Sequence, residues 1–229
     1  MNDRYSSVRP TTLRTQGTTT VIDSAAHRVL RNTYLLLALT LGFSAITAGA
    51  SAALRLPHPG VLLTLVGFYG LLFLVHKFQD RAAGIGFTFA LTGFMGYTLG
   101  PILGVYLNMP HGTQIVMTAL GGTAAVFLGM SAYALTTKRD LSFMGSFLFI
   151  GMIVAIVASL AAIFLHLPAL SLAVSAVVVL LMSGMILFET NNIVRGGETN
   201  YVLATVSLFV SIFNLFTSLL QLLGFASRD

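Results

Sequence analysis

Apolar runs dominate the chain, and each is interrupted only by a few charged or turn-forming residues. Asn32 to Leu54 is an uncharged stretch of 23 residues, and Leu56 to His76 is one of 21. Ala82 to Thr137 runs for 56, Leu141 to Phe188 for 48 and Thr199 to Ser227 for 29. About 20 apolar residues at 1.5 Å each cross the roughly 30 Å hydrocarbon layer of a bilayer. The three shorter stretches therefore hold one crossing helix each and the two long ones hold two each. Asn108-Met109-Pro110-His111-Gly112 divides the first long stretch, His166-Leu167-Pro168 divides the second, and Pro57-His58-Pro59-Gly60 separates the first two helices. The pattern predicts seven spans, at residues 33–54, 60–76, 84–107, 113–135, 141–165, 169–194 and 201–225. A membrane β-barrel would alternate apolar and polar positions in segments of about ten residues. These runs are continuously apolar, so the expected fold is an all-α, polytopic seven-helix bundle.

Composition narrows the class. Of 229 residues, 56% are hydrophobic and 8% charged, against about 25% charged in soluble domains. That excludes a soluble enzyme, and the high hydrophobicity excludes a disordered chain. Cysteine is absent, which removes disulfides and thiolate chemistry. The 12 basic residues divide unevenly. Arg4, Arg9, Arg14, Arg28, Arg31, Lys77, Arg81, Lys138, Arg139 and Arg195 fall on one side of the predicted bundle, while Arg55 and Arg228 fall on the other. Basic loops face the cytoplasm, so the N-terminus is expected inside the cell and the C-terminus outside. This asymmetry accounts for the net charge of +5, and nucleic acid is not an expected partner. Residues 1–26, rich in Thr, Ser and Arg, read as a flexible cytoplasmic tail ahead of a membrane domain at 27–229.

Two spans carry further patterns. The third has Gly93, Gly96, Gly100 and Gly104 around Pro101, small residues that let helices approach closely, with a proline that should kink the helix unless a neighbour satisfies the freed carbonyl. The seventh has Ser207, Ser211, Asn214, Ser218 and Gln221 at spacings of four, three, four and three. At about 100° per residue they form one polar stripe, which must face protein or water. Helix seven is therefore expected near the centre of the bundle.

Of the seven acidic residues, only Glu189 falls within a predicted span. Gly196-Gly197 is the expected end of helix six, and Thr199 or Asn200 the cap of helix seven. That puts Glu189 about 9 Å inside the helix end, near the depth of Ser211. An ionisable group at such a position is a functional candidate, so Glu189, Ser211 and Asn214 form the candidate proton or cation site. Lys77, Lys138 and Arg195 are its candidate charge partners. No HExxH or GxSxG motif occurs, and the five histidines lie near helix ends. Neither an enzyme, a cofactor nor a bound metal is expected.

Thr137–Gly145, Phe188–Ile193 and Ser207–Phe216 followed by Leu222-Leu223-Gly224 resemble, in matching order, blocks of the Bax inhibitor-1 family of membrane proteins. Arg31–Tyr34, Gly196–Tyr201 and Gly224–Asp229 resemble its bacterial inner-membrane branch. That resemblance implies a protein that binds and modulates the membrane protease FtsH, in an assembly including HflK and HflC. It also implies that the chain is an FtsH substrate gripped by its N-terminal tail. Other family members imply an alternative, a pH-sensitive calcium or proton leak using two aspartates on the last two helices. The first corresponds to Glu189 and the second to Ser211, so one of the two carboxylates is missing here, which weakens the case for calcium.

Overall fold

The computed structural model describes residues 16–227 and folds as seven helices: α1 (Gln16–Ala53), α2 (Val61–Phe78), α3 (Ala82–Leu107), α4 (Gly112–Thr136), α5 (Phe143–Phe164), α6 (Pro168–Val194) and α7 (Tyr201–Ala226). All seven are long and apolar enough to cross a membrane. Six agree with the predicted spans to within two residues. The exception is α1, whose 38 residues extend for about 57 Å, well beyond one bilayer. Residues 16–26, expected in the tail, are helical, and residues 1–15 lie outside the described region. The cause lies in the residues before the crossing segment, where Ala26 is buried and Val29 and Leu30 pack against the main core. No glycine or proline interrupts residues 18 to 41, so the helix continues outward from that contact.

α7 organises the bundle. It packs against α1, α2, α3, α4 and α6, and 13 of its residues are buried, whereas α2 buries Val75 alone. Leu208, Phe209, Ile212 and Leu215 sit in the main core with Met182, Ile186 and Ile193 of α6. α5 packs on α6 alone among the helices, leaving Phe143, Phe147, Ile150, Val154 and Val157 exposed on the surface that meets lipid.

The glycines of α3 set its approach to α1. A side chain at Gly96 would collide with Ser44 and Thr47, one at Gly100 with Ser51 and Ala48, and one at Gly93 with the Phe43 ring. Gly104 faces open space and takes no part in the seam. α3 runs through Pro101 without ending. Proline lacks the N–H that would bond to Tyr97 O, and Ser51 Oγ of α1 donates to that carbonyl at 3.0 Å.

Gly196 has φ 74° and closes α6, with Gly197 N donating to Asn192 O at 2.9 Å, the six-to-one bond of a Schellman ending. On the opposite face, Arg55 (φ 49°) and His166 (φ 52°) occupy the equivalent left-handed positions.

Candidate functional site

The termini of α6 and α7 place the acid. Asn200 caps α7, its Oδ1 accepting from Val202 N at 2.9 Å and Leu203 N at 3.3 Å. Its Nδ2 donates to Asp80 Oδ1 at 3.0 Å, tying the α6–α7 loop to the α2–α3 loop. With both ends fixed, Glu189 and Ser211 meet across the helix pair. Ser211 Oγ lies 3.2 Å from Glu189 Oε2 and 3.4 Å from Oε1, and Ser207 lines the same cleft one turn away. Ser211 is buried, Glu189 half-buried and Ser207 exposed.

That exposure is explained by a cleft of about 310 Å³ on this side of α7. Phe68, Leu72 and His76 of α2, Met152 of α5, and Met182 and Met185 of α6 form its walls. Glu189, Ser207 and Ser211 line it within, and Glu198 lies at its loop end. His76 Nδ1 is bonded to Leu72 O at 3.1 Å.

The other candidate residues separate from this group. Asn214 Nδ2 donates to Val210 O on its own helix at 2.9 Å, and Ser218 is buried. Gln221 joins α6 instead: its Nε2 donates to Ser171 Oγ at 2.6 Å, and Ser175 Oγ donates to its Oε1 at 2.8 Å. The stripe therefore divides into an inner part on Glu189 and an outer part that staples α7 to α6.

The three candidate cations lie elsewhere. Arg195 Nη2 donates to Lys138 O at 2.6 Å, joining the α6 end to the α4–α5 loop. Lys77 lies over the Phe78 ring, 5.8 Å from its centroid. Glu189 is met by the Ser211 hydroxyl and not by these cations, because they extend from helix ends toward water while its carboxylate is turned toward α7. In the α4–α5 loop, Asp140 Oδ1 accepts from Ser142 Oγ at 2.5 Å and Ser142 N at 2.9 Å. These bonds, with Arg195 nearby, hold the Asp140 carboxyl below its ordinary range.

Sequence reasoning paired Glu189 with Ser211 but did not single out Ser207, His76 and Glu198 as neighbours of the acid. Ser207 had a signal, since it precedes Ser211 by one helical turn on the stripe. His76 and Glu198 had none, because α2 and the α6–α7 loop reach the cleft only in the folded bundle.

A bundle of seven crossing helices around a central last helix, with one acid bonded to a serine hydroxyl in a cleft, defines a polytopic membrane protein with an intramembrane polar site. Residues 26–228 match the family described as inhibitor of apoptosis-promoting Bax1. The chain belongs to this Bax inhibitor-1 family. It is 60% identical over 205 residues, 90% of this chain and 93% of the relative, to the Escherichia coli K12 protein named modulator of FtsH protease YccA. The counterpart in E. coli O6:H1, equally similar, is named an inner membrane protein. An uncharacterised membrane protein of Vibrio cholerae is 47% identical over 89% of this chain and 92% of its own.

Proposed function

We propose that the chain is a regulatory partner of an FtsH-type membrane protease in the bacterial inner membrane and is itself a substrate of that protease. The observation that carries this reading is the 60% identity, over nearly the full length of both chains, to a protein named as a modulator of FtsH. The architecture is suited to it. The connections between α2 and α7 are at most six residues long, so little loose chain is offered on either face, and the N-terminal segment is the natural handle. A processive protease that grips this end then meets a bundle whose last helix is its core, and extraction stalls. The excess of Lys and Arg on the side of the α2–α3, α4–α5 and α6–α7 loops supports a cytoplasmic N-terminus. In this reading HflK and HflC belong to the same assembly.

Purification of the full chain in detergent, followed by identification of co-purifying proteins, tests the partnership directly; an AAA+ protease is expected, and its absence counts against the reading. Deletion of residues 1–20 tests the tail in both roles. The truncated chain should persist longer and should no longer slow degradation of a second FtsH substrate. Unchanged inhibition by the truncated chain would remove the tail from the mechanism.

A second reading, a proton or cation leak, is favoured by the Glu189 carboxylate lying in a cleft beside two hydroxyls. In liposomes, the parent chain should show pH-dependent cation flux that Glu189→Gln alters. Equal flux from both proteins would sink it.

A further inference from the structure

Another face of α7 borders a larger cleft, of about 580 Å³, a size usual for a small-molecule site. Among the described residues, α1 packs against α3, α6 and α7, and α4 against the same three helices, but the backbones of α1 and α4 stay apart. The gap between them is the cleft. Gly42, Ala45 and Gly49 of α1 form one wall and Leu120, Ala124 and Phe127 of α4 the other, while Phe209, Ile212 and Phe216 of α7 are the floor. No lining residue is shared with the Glu189 cleft. Tyr34 closes the inner end, its ring centroid 5.8 Å from that of Phe127. Ala45, Gly49 and Leu120 are exposed, so the cleft opens sideways to the bilayer.

Its chemistry and dimensions define what fits. No charged residue lines it. Of its two hydroxyls, Thr123 Oγ1 donates to Ala119 O at 2.7 Å and Ser44 Oγ lies against Gly96 of α3. A held water needs several polar partners, and none is offered. An empty space of this size would cost as much as the whole net stability of a domain. The occupant is therefore hydrocarbon. Along α4 the lining runs from Val116 to Phe127, about 17 Å, and it begins about 6 Å from the helix end at Gly112. The cleft thus occupies the half of the bilayer nearer the α1–α2 and α3–α4 loops, and its length matches the roughly 15 Å of hydrocarbon in one leaflet. A partner helix about 10 Å across would need about 1,300 Å³ over that length, more than twice the space present.

We propose that this cleft is a binding site for one acyl chain of a phospholipid from the leaflet on the side of the α1–α2 and α3–α4 loops. The chain lies against α7 between α1 and α4, with its methyl end at the Tyr34–Phe127 pair. Because the lining bears no charge, the site selects the chain and is indifferent to the headgroup. The seated lipid completes the packing around α7 where the protein leaves it uncovered, and it links α1 to α4. The inference depends neither on the Glu189 site nor on a protease partner.

Photolabelling tests occupancy in the full chain, reconstituted into vesicles of phosphatidylethanolamine and phosphatidylglycerol doped with a phospholipid that carries a diazirine in mid-chain. Adducts on Ala45, Leu120 and Ala124 should exceed those on Ile150 and Val154 of α5, which are exposed to bulk lipid. The expected excess is at least about tenfold, the preference of a site that holds the chain by about 1.4 kcal/mol. Even labelling of the two surfaces would make the cleft ordinary boundary lipid and overturn the proposal. Moving the diazirine toward the methyl end should shift adducts from Val116 toward Phe127; the reverse shift would put the lipid in the other leaflet and overturn its placement.

Native mass spectrometry of the detergent-purified chain should show one retained phospholipid. Gly42→Leu and Gly49→Leu point side chains into open space and together fill the cleft, so the double variant should lose that lipid by at least about tenfold. Gly70→Leu also meets open space but lies on α2, outside the cleft, and should keep it. Equal retention by all three proteins would overturn the proposal, as would a dimer that the double variant abolishes, since a second copy would then fill the cleft. SDS titration checks that the variants fold, and the photolabelling of the parent chain decides the matter without them.

Discussion

Ser51 and Pro101 supply the most exacting test of how the helices hold together. Pro101 deprives Tyr97 O of its intrahelical donor, and Ser51 Oγ fills that place from α1 at 3.0 Å. Ser51 is 1% exposed, so water is no ready substitute. Hydrogen bonds between membrane helices average about 0.6 kcal/mol and reach about 1.7, while a buried carbonyl left unpaired costs about 1–3 kcal/mol. Ser51→Ala should therefore destabilise the chain by about 1–2 kcal/mol. A Pro101→Ala background restores the missing backbone N–H, and Tyr97 O then bonds within α3. There the same Ser51→Ala change should cost less than about 0.5 kcal/mol, leaving a coupling of about 1 kcal/mol between the two sites. Equilibrium unfolding of all four proteins in mixed micelles with increasing SDS measures the cycle. If Ser51→Ala costs the same in both backgrounds, the serine does not serve the proline, and the α1–α3 contact rests on packing alone.

Four further outcomes follow from the structure. Gly96→Ala should destabilise by about 1–3 kcal/mol through overpacking against Ser44 and Thr47. Gly104→Ala, facing open space, should be neutral or stabilising by up to about 1 kcal/mol; the same SDS titration reads both. Asn200→Ala removes the α7 cap and the bond to Asp80, and should cost about 1 kcal/mol or more, with hydrogen exchange accelerated first at Val202 and Leu203. Asp140 has a lowered folded-state pKa, so its contribution is present above its unfolded value near 4 and is lost as pH falls through the lower folded value. Order in the α4–α5 loop should accordingly decrease only in strong acid. A spin label at Lys138 reports it, and an Asp140→Asn variant with the same acid response would refute the assignment.

The parts of this fold that were legible in the sequence are those that hydrophobicity and turn chemistry encode locally. Pro57–Gly60, Asn108–Gly112 and His166–Pro168 mark real helix boundaries because their residues cannot continue an apolar helix, and Gly196 marks another because α6 closes with positive φ. The regular spacing of Ser207, Ser211 and Asn214 made α7 an interior helix, and helix rise put Ser211 near the depth of Glu189. What was not legible depends on which side chains meet. Gly96 and Gly104 look alike in sequence, yet only the first faces α1. Lys77, Lys138 and Arg195 have the right sign for Glu189 but extend elsewhere, and charge alone carries no direction. Asn214 and Gln221 belong to one stripe and take different hydrogen-bond partners. The early start of α1 was hidden by its polar composition, which masks the few apolar residues that dock it.

The order of synthesis gives the central position of α7 a further consequence. A growing chain emerges at about 5–20 residues per second, so α7 follows α6 into the bilayer by several seconds. Throughout that interval Glu189 is already in place on α6 while the serine that receives it is still to be made. The first six helices must assemble loosely around a vacant axis, with the carboxylate held by water or by transient neighbours. Completion of the last segment then closes the bundle in one step. A chain stopped before Tyr201 would lack one helix and, with it, the surface on which most of the others pack. Such fragments should be conspicuous to the quality control of the membrane.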